Sequence, residues 1–564
     1  SGNNIVLDIS TIQLLVADCA LHLFLSKNNT HINTNTNLLL GFLVNELSIG
    51  EYDCLISELI DDTDSAISFC KENPLLFNME YIYEADEDIL GLIYISCKNI
   101  GNRKATGSYY TSTKVVKNLI SRLSFQEPVK VLDPCCGTGN FLLQLPDVLP
   151  FDSIYGNDID AASVKITRLN MALKYNVPVA AIYEHITGQD YLTDYAEKDF
   201  QYIIGNPPWG YDFSEEEKSH LRTIYKSATG KNIESYDVFI EQALNHLTDN
   251  GHLAYVLPEA ILNVKAHTNI RKTILENCSI KNLVFLGNAF DGVQCPCIIL
   301  DLQCTRSPLS TVGMNVNTGT DSFTINIERT VSVEYFSFTT SDAEYNIMCK
   351  IRSMPNSAYL LDNADFALGI VTGNNKEYIS DIKNENNEMI LKGADICKYH
   401  ITRTNNYIVF KPENFQQAAP TEMYRSPEKL LYRFISSQLV FAYDDKQTLS
   451  LNSCNIVIPR LPGTKIKYVL AILNSRIAQF IYKKEFNSVK VLRSHIENIP
   501  IPTADASTQA EIIALTDKLI SGLQADEAEK VYDELDLLVS KAFHLDSNEI
   551  EIINKAVEGD NKFL

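Results

Sequence analysis

The chain has 564 residues, of which 45% are hydrophobic and 21% charged, and its net charge is −23. This composition excludes a disordered or fibrous protein and predicts a globular chain of several domains, at about 100–200 residues each. The acidity argues against a nucleic-acid binder unless basic residues are concentrated locally. The thirteen cysteines form no C-x-x-C pair, so we expect reduced thiols in a cytoplasmic protein and no metal site.

Residues 1–100 form an acidic N-terminal region that we predict to be helical. The region holds fifteen acidic residues against three lysines, and its apolar side chains over residues 12–25 recur at helical spacing. That stretch is too short to span a bilayer and lacks a basic leader, so we predict neither a membrane anchor nor a secretion signal. A cluster of acids without a nearby catalytic lysine is interpreted as a solvated loop: Glu84, Asp86, Glu87 and Asp88.

Residues 101–305 alternate short apolar runs with amphipathic segments. Such alternation predicts an α/β fold with a Rossmann-like, doubly wound and mostly parallel sheet. Helices are predicted over 161–173 and 238–247. The predicted strands are 131–132, 154–155, 182–183, 202–204, 253–256, 283–286 and 297–300.

The stretch VLDPCCGTGNFL (residues 131–142) has the pattern of a strand end, a tight turn and a helix start. It is neither a P-loop nor the dinucleotide motif, because Leu142 stands where the third glycine would be. Gly137 and Gly139 let a ligand approach the strand end closely. Asp133 would repel a pyrophosphate but suits a ligand that carries an amino group and a sulfonium. An ordinary strand–helix turn is the alternative.

Two further acids follow the next strands along the chain. Asp158 ends the second strand, nineteen residues after Gly139, where an acid accepts hydrogen bonds from ribose hydroxyls. Asp190, with Tyr191 beside it, comes one strand later and can accept from an adenine amino group. Any one of these acids could be a helix N-cap, but acids at three successive strand ends predict an adenosine-binding site.

The stretch IIGNPPWG (residues 203–210) carries a buried strand into Asn206, two prolines and the only tryptophan, Trp209. Pro207 presents a rigid carbonyl, because Pro208 restricts the residue before it to extended geometry. The Asn206 side-chain carbonyl and the Pro207 carbonyl therefore form two stiff acceptors beside the flat Trp209 indole. They suit a planar NH₂ group, whose lone pair they would direct at an electrophile. A proline-rich loop capped by Asn206 is the alternative.

Three further parts follow along the chain. Residues 306–357 are predicted as connecting strands and linker, residues 358–508 as a second domain, and residues 509–564 as an acidic C-terminal helical segment. Within the second domain, residues 460–493 hold eight basic residues and one acid, Glu485. This local excess predicts contact with a phosphate backbone, although a solvated helix face explains the same charges.

The motifs and their order resemble the gamma-class, TaqI-like family of S-adenosylmethionine-dependent DNA adenine-N6 methyltransferases over roughly residues 100–555. In that family the cofactor motifs precede the catalytic Asn-Pro-Pro motif, and an α+β target-recognition domain follows. GIVTGNN (369–375), ILNSRIAQFIYKKEF (472–486) and IENIPIP (496–502) look like that domain. Two positions depart from the pattern: Trp209 replaces the usual Tyr or Phe, and Ser112 replaces a proline. Residues 1–100 match no family motif.

The resemblance implies a role for each matching residue. The catalytic residues are Asn206, Pro207, Pro208 and Trp209. The flipped target base stacks on Trp209 and on Phe290 of NAFDGV, for which a core-filling loop Phe is the alternative. The cofactor-binding residues are Thr111, Asp133, Cys135, Gly137, Gly139, Phe141, Asp158, Ile159, Asp190, Tyr191 and Phe239. The predicted DNA-backbone contacts are Lys483, Lys484, Lys490 and Arg493.

The implied reaction transfers a methyl group from S-adenosyl-L-methionine to N6 of an adenine flipped out of double-stranded DNA, within a restriction-modification or phage-defence system. Asn206 favours adenine over cytosine N4, because cytosine-N4 relatives generally begin the motif with serine. Two alternatives remain. The chain is a modification subunit that binds a partner protein through residues 1–100, or it methylates RNA or the glutamine amide of a protein.

Overall fold

The structure is a computed structural model, and it describes residues 7–30, 37–98, 110–126, 129–290, 294–402, 404–486 and 488–559. The chain divides into two compact units, Ser1–Phe338 and Thr339–Leu564. The division falls within residues 306–357, the stretch that the sequence analysis assigns to connecting strands and linker.

The first unit is built on a nine-stranded sheet with the order β3-β2-β1-β4-β5-β7-β6-β8-β9. The first five strands of that order, from β3 through β2, β1 and β4 to β5, are parallel. Strand β7 lies between β5 and β6 and is antiparallel to both. The strands are β1 (Val131–Asp133), β2 (Ile154–Asn157), β3 (Ile186–Thr187), β4 (Phe200–Gly205), β5 (Leu247–Pro258), β6 (Cys278–Gly287), β7 (Cys297–Cys304), β8 (Met314–Asn317) and β9 (Ser322–Ile325). The predicted α/β class with a mostly parallel, doubly wound sheet is confirmed.

Helices both precede the sheet and connect its strands. Before the sheet lie α1 (Ile9–Lys27), α2 (Leu38–Leu43), α3 (Asp53–Ser57), α4 (Thr63–Glu72), α5 (Ile89–Cys97) and α6 (Thr113–Ile120). Between the strands lie α7 (Asn140–Leu143), α8 (Ala161–Tyr175), α9 (Val179–His185), α10 (Glu215–Ile224), α11 (Ser235–His246) and α12 (Thr268–Asn277).

The N-terminal helices share one hydrophobic core with the sheet, which extends from Ile12 to Phe338. Helix α1 is 19 residues long and apolar enough to cross a membrane by length and composition, so the prediction that this stretch is too short was wrong. However, 67% of its apolar window is buried, as expected for a core helix of a globular unit. The solvated-loop interpretation was also wrong for Asp88, which is buried and caps α5 through a hydrogen bond from the Gly91 N–H.

One predicted strand is a helix in the structure. Residues 182–183 lie in α9, which begins directly after Pro178, and the third strand starts at Ile186. Proline is favoured where a helix begins, and a short apolar run does not by itself distinguish a strand from a helix.

The order of the strands brings the two main sequence motifs together. The chain runs from β1 out to β2 and β3 and then returns to β4 on the other side of β1. In open α/β sheets, ligands bind beyond the carboxyl ends of the strands at such a reversal point. Asp133 ends β1 and Asn206 follows β4, so both lie at this point.

The second unit is α+β. Its sheets are β10-β19, β11-β18-β15-β16 and β12-β14-β13-β17. The strands are β10 (Ser357–Ala358), β11 (Ala364–Ala367), β12 (Ile379–Ser380), β13 (Glu388–Leu391), β14 (Tyr407–Ile408), β15 (Lys429–Arg433), β16 (Phe441–Asp444), β17 (Leu449–Ser450), β18 (Cys454–Pro459) and β19 (Ile501–Pro502). The helices are α13 (Asp342–Arg352), α14 (Asn375–Tyr378), α15 (Thr421–Tyr424), α16 (Ile466–Asn474), α17 (Arg476–Ile481), α18 (Arg493–Glu497), α19 (Ala506–Ile520), α20 (Ala525–Ala542) and α21 (Ser547–Ala556). The last three pack into the core of this unit through Ile512, Tyr532 and Ile553.

Candidate cofactor and catalytic site

A cavity of about 470 Å³ lies in the first unit beyond the carboxyl ends of β1, β2 and β4. Nine of the eleven predicted cofactor-binding residues line it, together with two residues of the catalytic motif. These residues are Thr111, Cys135, Gly137, Phe141, Asp158, Ile159, Asp190, Tyr191 and Phe239, with Asn206 and Pro208. Among the residues the structure describes, no cluster of three or more His, Cys, Asp and Glu side chains is arranged to hold a metal ion.

The glycine turn after β1 places its backbone against the cavity. Gly137 has φ +54° and nothing within 4 Å of where a Cβ would stand, whereas a Cβ on Gly139 (φ +94°) would lie 3.1 Å from Thr167. The Gly137 N–H donates to Asp158 at 2.8 Å, and its carbonyl accepts from the Thr167 hydroxyl at 2.7 Å. The turn therefore needs glycine twice, once beside open space and once against α8.

Asp133 is fully buried beneath this turn. Its Oδ1 accepts from the Cys135 N–H at 3.1 Å, and its Oδ2 has no hydrogen-bond partner among the described residues. Burial, with the neighbouring Asp158 charge adding to it, raises the pKa of Asp133 well above its usual value. A buried carboxylate oxygen without a partner is costly, and a cationic ligand would compensate it.

Asp158 lies at the end of β2 and is held by two backbone donors. Its Oδ1 accepts from the Asp160 N–H and its Oδ2 from the Gly137 N–H, both at 2.8 Å. Burial raises the pKa of Asp158 to about 6, although both hydrogen bonds act to lower it. The carboxylate is thus fixed in orientation and faces the cavity.

Aromatic and apolar side chains form the side of the cavity where the adenine is predicted to bind. The rings of Tyr191 and Phe239 lie 5.5 Å apart between centroids, and Ile159 is exposed at the rim. Asp190 lines the same side, and its Oδ1 accepts from the Leu192 N–H at 2.9 Å. These groups would suit a flat ring that carries an amino group.

The Asn206 amide is oriented by Thr111. Asn206 Nδ2 donates to the Thr111 hydroxyl at 3.0 Å, and the Thr111 carbonyl in turn accepts from Asn140 Nδ2 at 2.7 Å. Asn206 Oδ1 is buried and has no hydrogen-bond partner among the described residues. Within the protein the amide donates from Nδ2, and Oδ1 is available to accept a hydrogen bond from a ligand. The assignment of the amide oxygen and nitrogen follows from the hydrogen-bond network.

The predicted stacking pair, Trp209 and Phe290, is in contact but not parallel. The ring centroids are 4.9 Å apart and the planes meet at 84°. A base between two parallel faces needs roughly 7 Å, twice a van der Waals separation of about 3.5 Å. One of the two rings must therefore move before a base can lie between them.

The cavity also has walls that the sequence analysis missed. Lys98 follows α5 and forms an ion pair with Asp160 at 3.1 Å, to which the Tyr94 hydroxyl also donates at 3.0 Å. Tyr110, Tyr211 and Phe213 line other parts. An Asp two residues after Asp158 and an aromatic pair after Trp209 were visible signals, whereas nothing in the sequence placed Lys98 here.

Most of the basic residues in 460–493 are neutralised inside the second unit. Lys484 pairs with Glu344 at 2.8 Å, with side chains 13% and 12% exposed, and Lys483 donates to the Ala556 carbonyl at 2.9 Å. Both lysines are engaged within the unit, so Lys490 and Arg493 are the stronger candidates for the predicted DNA contacts. Lys490 and Arg493 remain exposed, the latter beside Glu497.

The strand order, the acids at the ends of β1 and β2 and the Asn-Pro-Pro motif at the reversal point define an S-adenosylmethionine-dependent methyltransferase. The family profile described as N-6 DNA Methylase matches residues 85–320, and that described as TaqI-like C-terminal specificity domain matches residues 388–501. Both profiles are those of TaqI-like N6 DNA methyltransferases, and the chain is a DNA methyltransferase with S-adenosylmethionine as its cofactor.

Relatives match different shares of the chain. Type II methyltransferase M.VspI of Vibrio sp. (strain 343) is 28% identical over 330 residues, which cover 57% of this chain and 79% of that protein. Type II methyltransferase M.CvrRI of Paramecium bursaria Chlorella virus XZ-6E is 31% identical over 166 residues, covering 29% of this chain and 40% of that protein. The solved structure of the Type IIL restriction-modification enzyme MmeI in complex with DNA shares the fold, with a TM-score of 0.57 over 98% of this chain and 95% of that chain at 12% identity.

Proposed function

We propose that this chain is a cytoplasmic, site-specific DNA methyltransferase that modifies N6 of a flipped-out adenine in double-stranded DNA, within a restriction-modification or phage-defence system. The relatives named above include type II methyltransferases and a restriction-modification enzyme, and the N-6 family profile favours adenine. We retain methylation of RNA or of protein glutamine as the rival activities.

The observation that carries the proposal is the unpartnered Asn206 Oδ1 at the reversal point of the sheet. An exocyclic amine on adenine is a poor nucleophile because its lone pair is delocalised into the ring. Asn206 Oδ1 and the Pro207 carbonyl would each accept a hydrogen bond from one N–H of the amine. Two acceptors placed in this way favour a pyramidal nitrogen. This is catalysis by orientation and electrostatics.

The other residues of the site bind and shield. S-adenosylmethionine supplies an electrophilic methyl group on a sulfonium. Asp133 would compensate the positive charge, Asp158 would accept from the ribose hydroxyls, and Asp190 with Tyr191 and Phe239 would hold the adenine. Thr111 keeps the Asn206 amide in the orientation that presents its oxygen.

Base flipping costs a few kcal/mol of stacking and pairing. We propose that Trp209 and Phe290 compensate part of this by stacking on the extruded adenine, after their edge-to-face contact has opened. Exposed Lys490 and Arg493 would contact phosphates, which positions the protein on DNA but reads no sequence.

Long-read sequencing of DNA from cells that express the chain tests the proposal. We expect one modified-adenine motif with the unaltered chain, no modification with Asn206→Ala, and full modification with Asn232→Ala, which changes an exposed asparagine of the same unit. A motif that survives Asn206→Ala contradicts the catalytic role. Modified cytosine, or labelling of RNA or protein in a methyl-transfer assay without labelling of DNA, contradicts the proposed acceptor.

A second role, as the modification subunit of a larger defence complex, is favoured by apolar side chains exposed on the N-terminal region. Leu75, Met79 and Ile82 are 82%, 60% and 73% exposed, and one acid, Glu80, lies among them in the sequence. Such residues suit a protein contact better than a DNA contact. Light scattering with size exclusion, on the unaltered chain and on a Leu75→Ser, Met79→Ser, Ile82→Ser variant, would show whether an associated chain is lost.

A further inference from the structure

The side chain of Ser235 holds the back of the catalytic turn, residues 206–209. Ser235 is the first residue of α11 and is fully buried. Its hydroxyl donates to the Pro208 carbonyl at 2.5 Å, and the Tyr211 N–H donates to the same hydroxyl at 3.4 Å. The Ser235 hydroxyl therefore links the start of α11 to the Pro208 carbonyl on one side and to the Tyr211 N–H on the other.

The two residues after Ser235 anchor the start of α11 on a buried histidine. His267 Nδ1 lies 2.9 Å from Asp237 Oδ1, and His267 Nε2 lies 2.8 Å from the Tyr236 hydroxyl. All three side chains are at least nine-tenths buried. An imidazole that donates from Nδ1 to Asp237 and accepts at Nε2 from the Tyr236 hydroxyl gives each of these three side chains a hydrogen-bond partner.

The same helix also forms a wall of the cofactor cavity. Phe239 follows Ser235 by four residues, and residues so spaced share one face of a helix. Helix α11 therefore touches the cavity through Phe239 and the catalytic turn through Ser235.

We propose that Ser235 is a positioning residue of the methyl transfer. By fixing the Pro208 carbonyl, its hydroxyl sets the direction in which the Pro207 carbonyl and the Asn206 amide face the substrate amine. Tyr236, Asp237 and His267 keep Ser235 in place. A displacement of about 1 Å in such groups costs on the order of 10²-fold in rate. The inference rests on the proposed function, because it concerns presentation of an amine to that turn.

Single-turnover methylation of a duplex with saturating cofactor and DNA tests the role of Ser235. We expect Ser235→Ala to lower the rate 10- to 100-fold, with the dissociation constants for S-adenosylmethionine and DNA within twofold of those of the unaltered protein. We also expect the fluorescence increase of 2-aminopurine at the target position to persist, since base flipping does not need the aligned carbonyl. Tyr236→Phe should lower the rate less, also without a change in binding.

Ser227→Ala is the matched control, because the Ser227 hydroxyl is buried in the same unit and has no hydrogen-bond partner among the described residues; its rate should be unchanged. A Ser235→Ala rate within twofold of normal, or a loss confined to cofactor affinity, overturns the proposal. If Ser235→Ala does not fold, Ser235→Cys replaces it: a reduced rate with normal binding supports the role, because a thiol is a weak donor, and a normal rate contradicts it. An unaltered protein that methylates no duplex DNA would instead refute the proposed function.

Discussion

Gly205, the last residue of β4, shows how little space separates the two motifs of the site. It has φ +144°, and a Cβ there would lie 2.6 Å from Asp133 Oδ1, which is closer than non-bonded atoms approach. Any side chain at this position would push the catalytic turn away from the glycine turn after β1. The Gly-Asn-Pro-Pro order is thus a requirement of packing as well as of chemistry.

The raised pKa of Asp158 predicts that cofactor binding depends on pH. The ionised carboxylate accepts hydrogen bonds from ribose hydroxyls better than the protonated form does. Because the pKa of Asp158 is about 6, the ionised fraction falls as the pH drops through that value. We expect the dissociation constant for S-adenosylmethionine, measured by calorimetry, to rise about tenfold between pH 7.5 and pH 5. Asp160 should not contribute over this range, because the Lys98 ammonium helps to hold its pKa below the usual value.

Asp158→Asn is the control for that titration. The amide cannot ionise, so the variant should bind the cofactor more weakly at pH 7.5 and lose less affinity than the unaltered protein down to pH 5. Asp133, whose pKa is also raised, would account for the remaining pH dependence. A variant with the same pH dependence as the unaltered protein would assign the titration to another group.

At the scale of elements, the second unit shows that charge along the sequence differs from charge in space. Lys484 and Glu344 are 140 positions apart, and neither belongs to a motif that would predict their pairing. Arg460 likewise pairs with Asp365. The basic stretch 460–493 is therefore a poor guide to the DNA-binding surface, although its exposed members remain candidates.

We predict that Lys490→Ala and Arg493→Ala each weaken DNA binding by a similar factor for every sequence, about 3- to 10-fold near 0.1 M salt. Each should also reduce the slope of log affinity against log salt by about 0.9, because one phosphate contact is lost. Fluorescence anisotropy at several salt concentrations measures both quantities.

Lys484→Ala is the contrasting variant. The substitution removes the ammonium group that pairs with the largely buried Glu344 carboxylate. We therefore expect a loss of about 1–3 kcal/mol in the free energy of unfolding and no change in DNA affinity. The assignment of the exposed pair fails if Lys484→Ala weakens DNA binding and the other two variants do not.

The site was predictable where it depends on strand ends and less so where it depends on packing from afar. Asp133, Asp158 and Asn206 follow parallel strands whose carboxyl ends meet at one edge, so their convergence follows from the order of elements. Asp88 carried a usable signal, an acid directly before an apolar helix, but was assigned to solvent. Lys98 follows α5, and no local sequence pattern reveals where that helix packs on the sheet.

At the scale of the molecule, the described cofactor site lies entirely within the first unit. The cavity-lining residues run from Ile95 to Phe239, and the hydrophobic core around them ends at Phe338. The profile for the specificity domain lies wholly in the second unit, at residues 388–501. Cofactor binding and target selection should therefore be separable.

We predict that residues 1–338, expressed alone, fold and bind S-adenosylmethionine with a dissociation constant within about threefold of that of the whole chain, since no described lining residue is lost. The fragment should not discriminate its target duplex from an unrelated duplex, because the specificity domain is absent. Calorimetry with the cofactor and competition binding with the two duplexes measure these outcomes. Asp158→Asn in the fragment should weaken cofactor binding by the same factor as in the whole chain, which shows that the site is unchanged. A folded fragment that fails to bind the cofactor would mean that the second unit completes the site, and a fragment that still selects its target would move sequence recognition into the first unit.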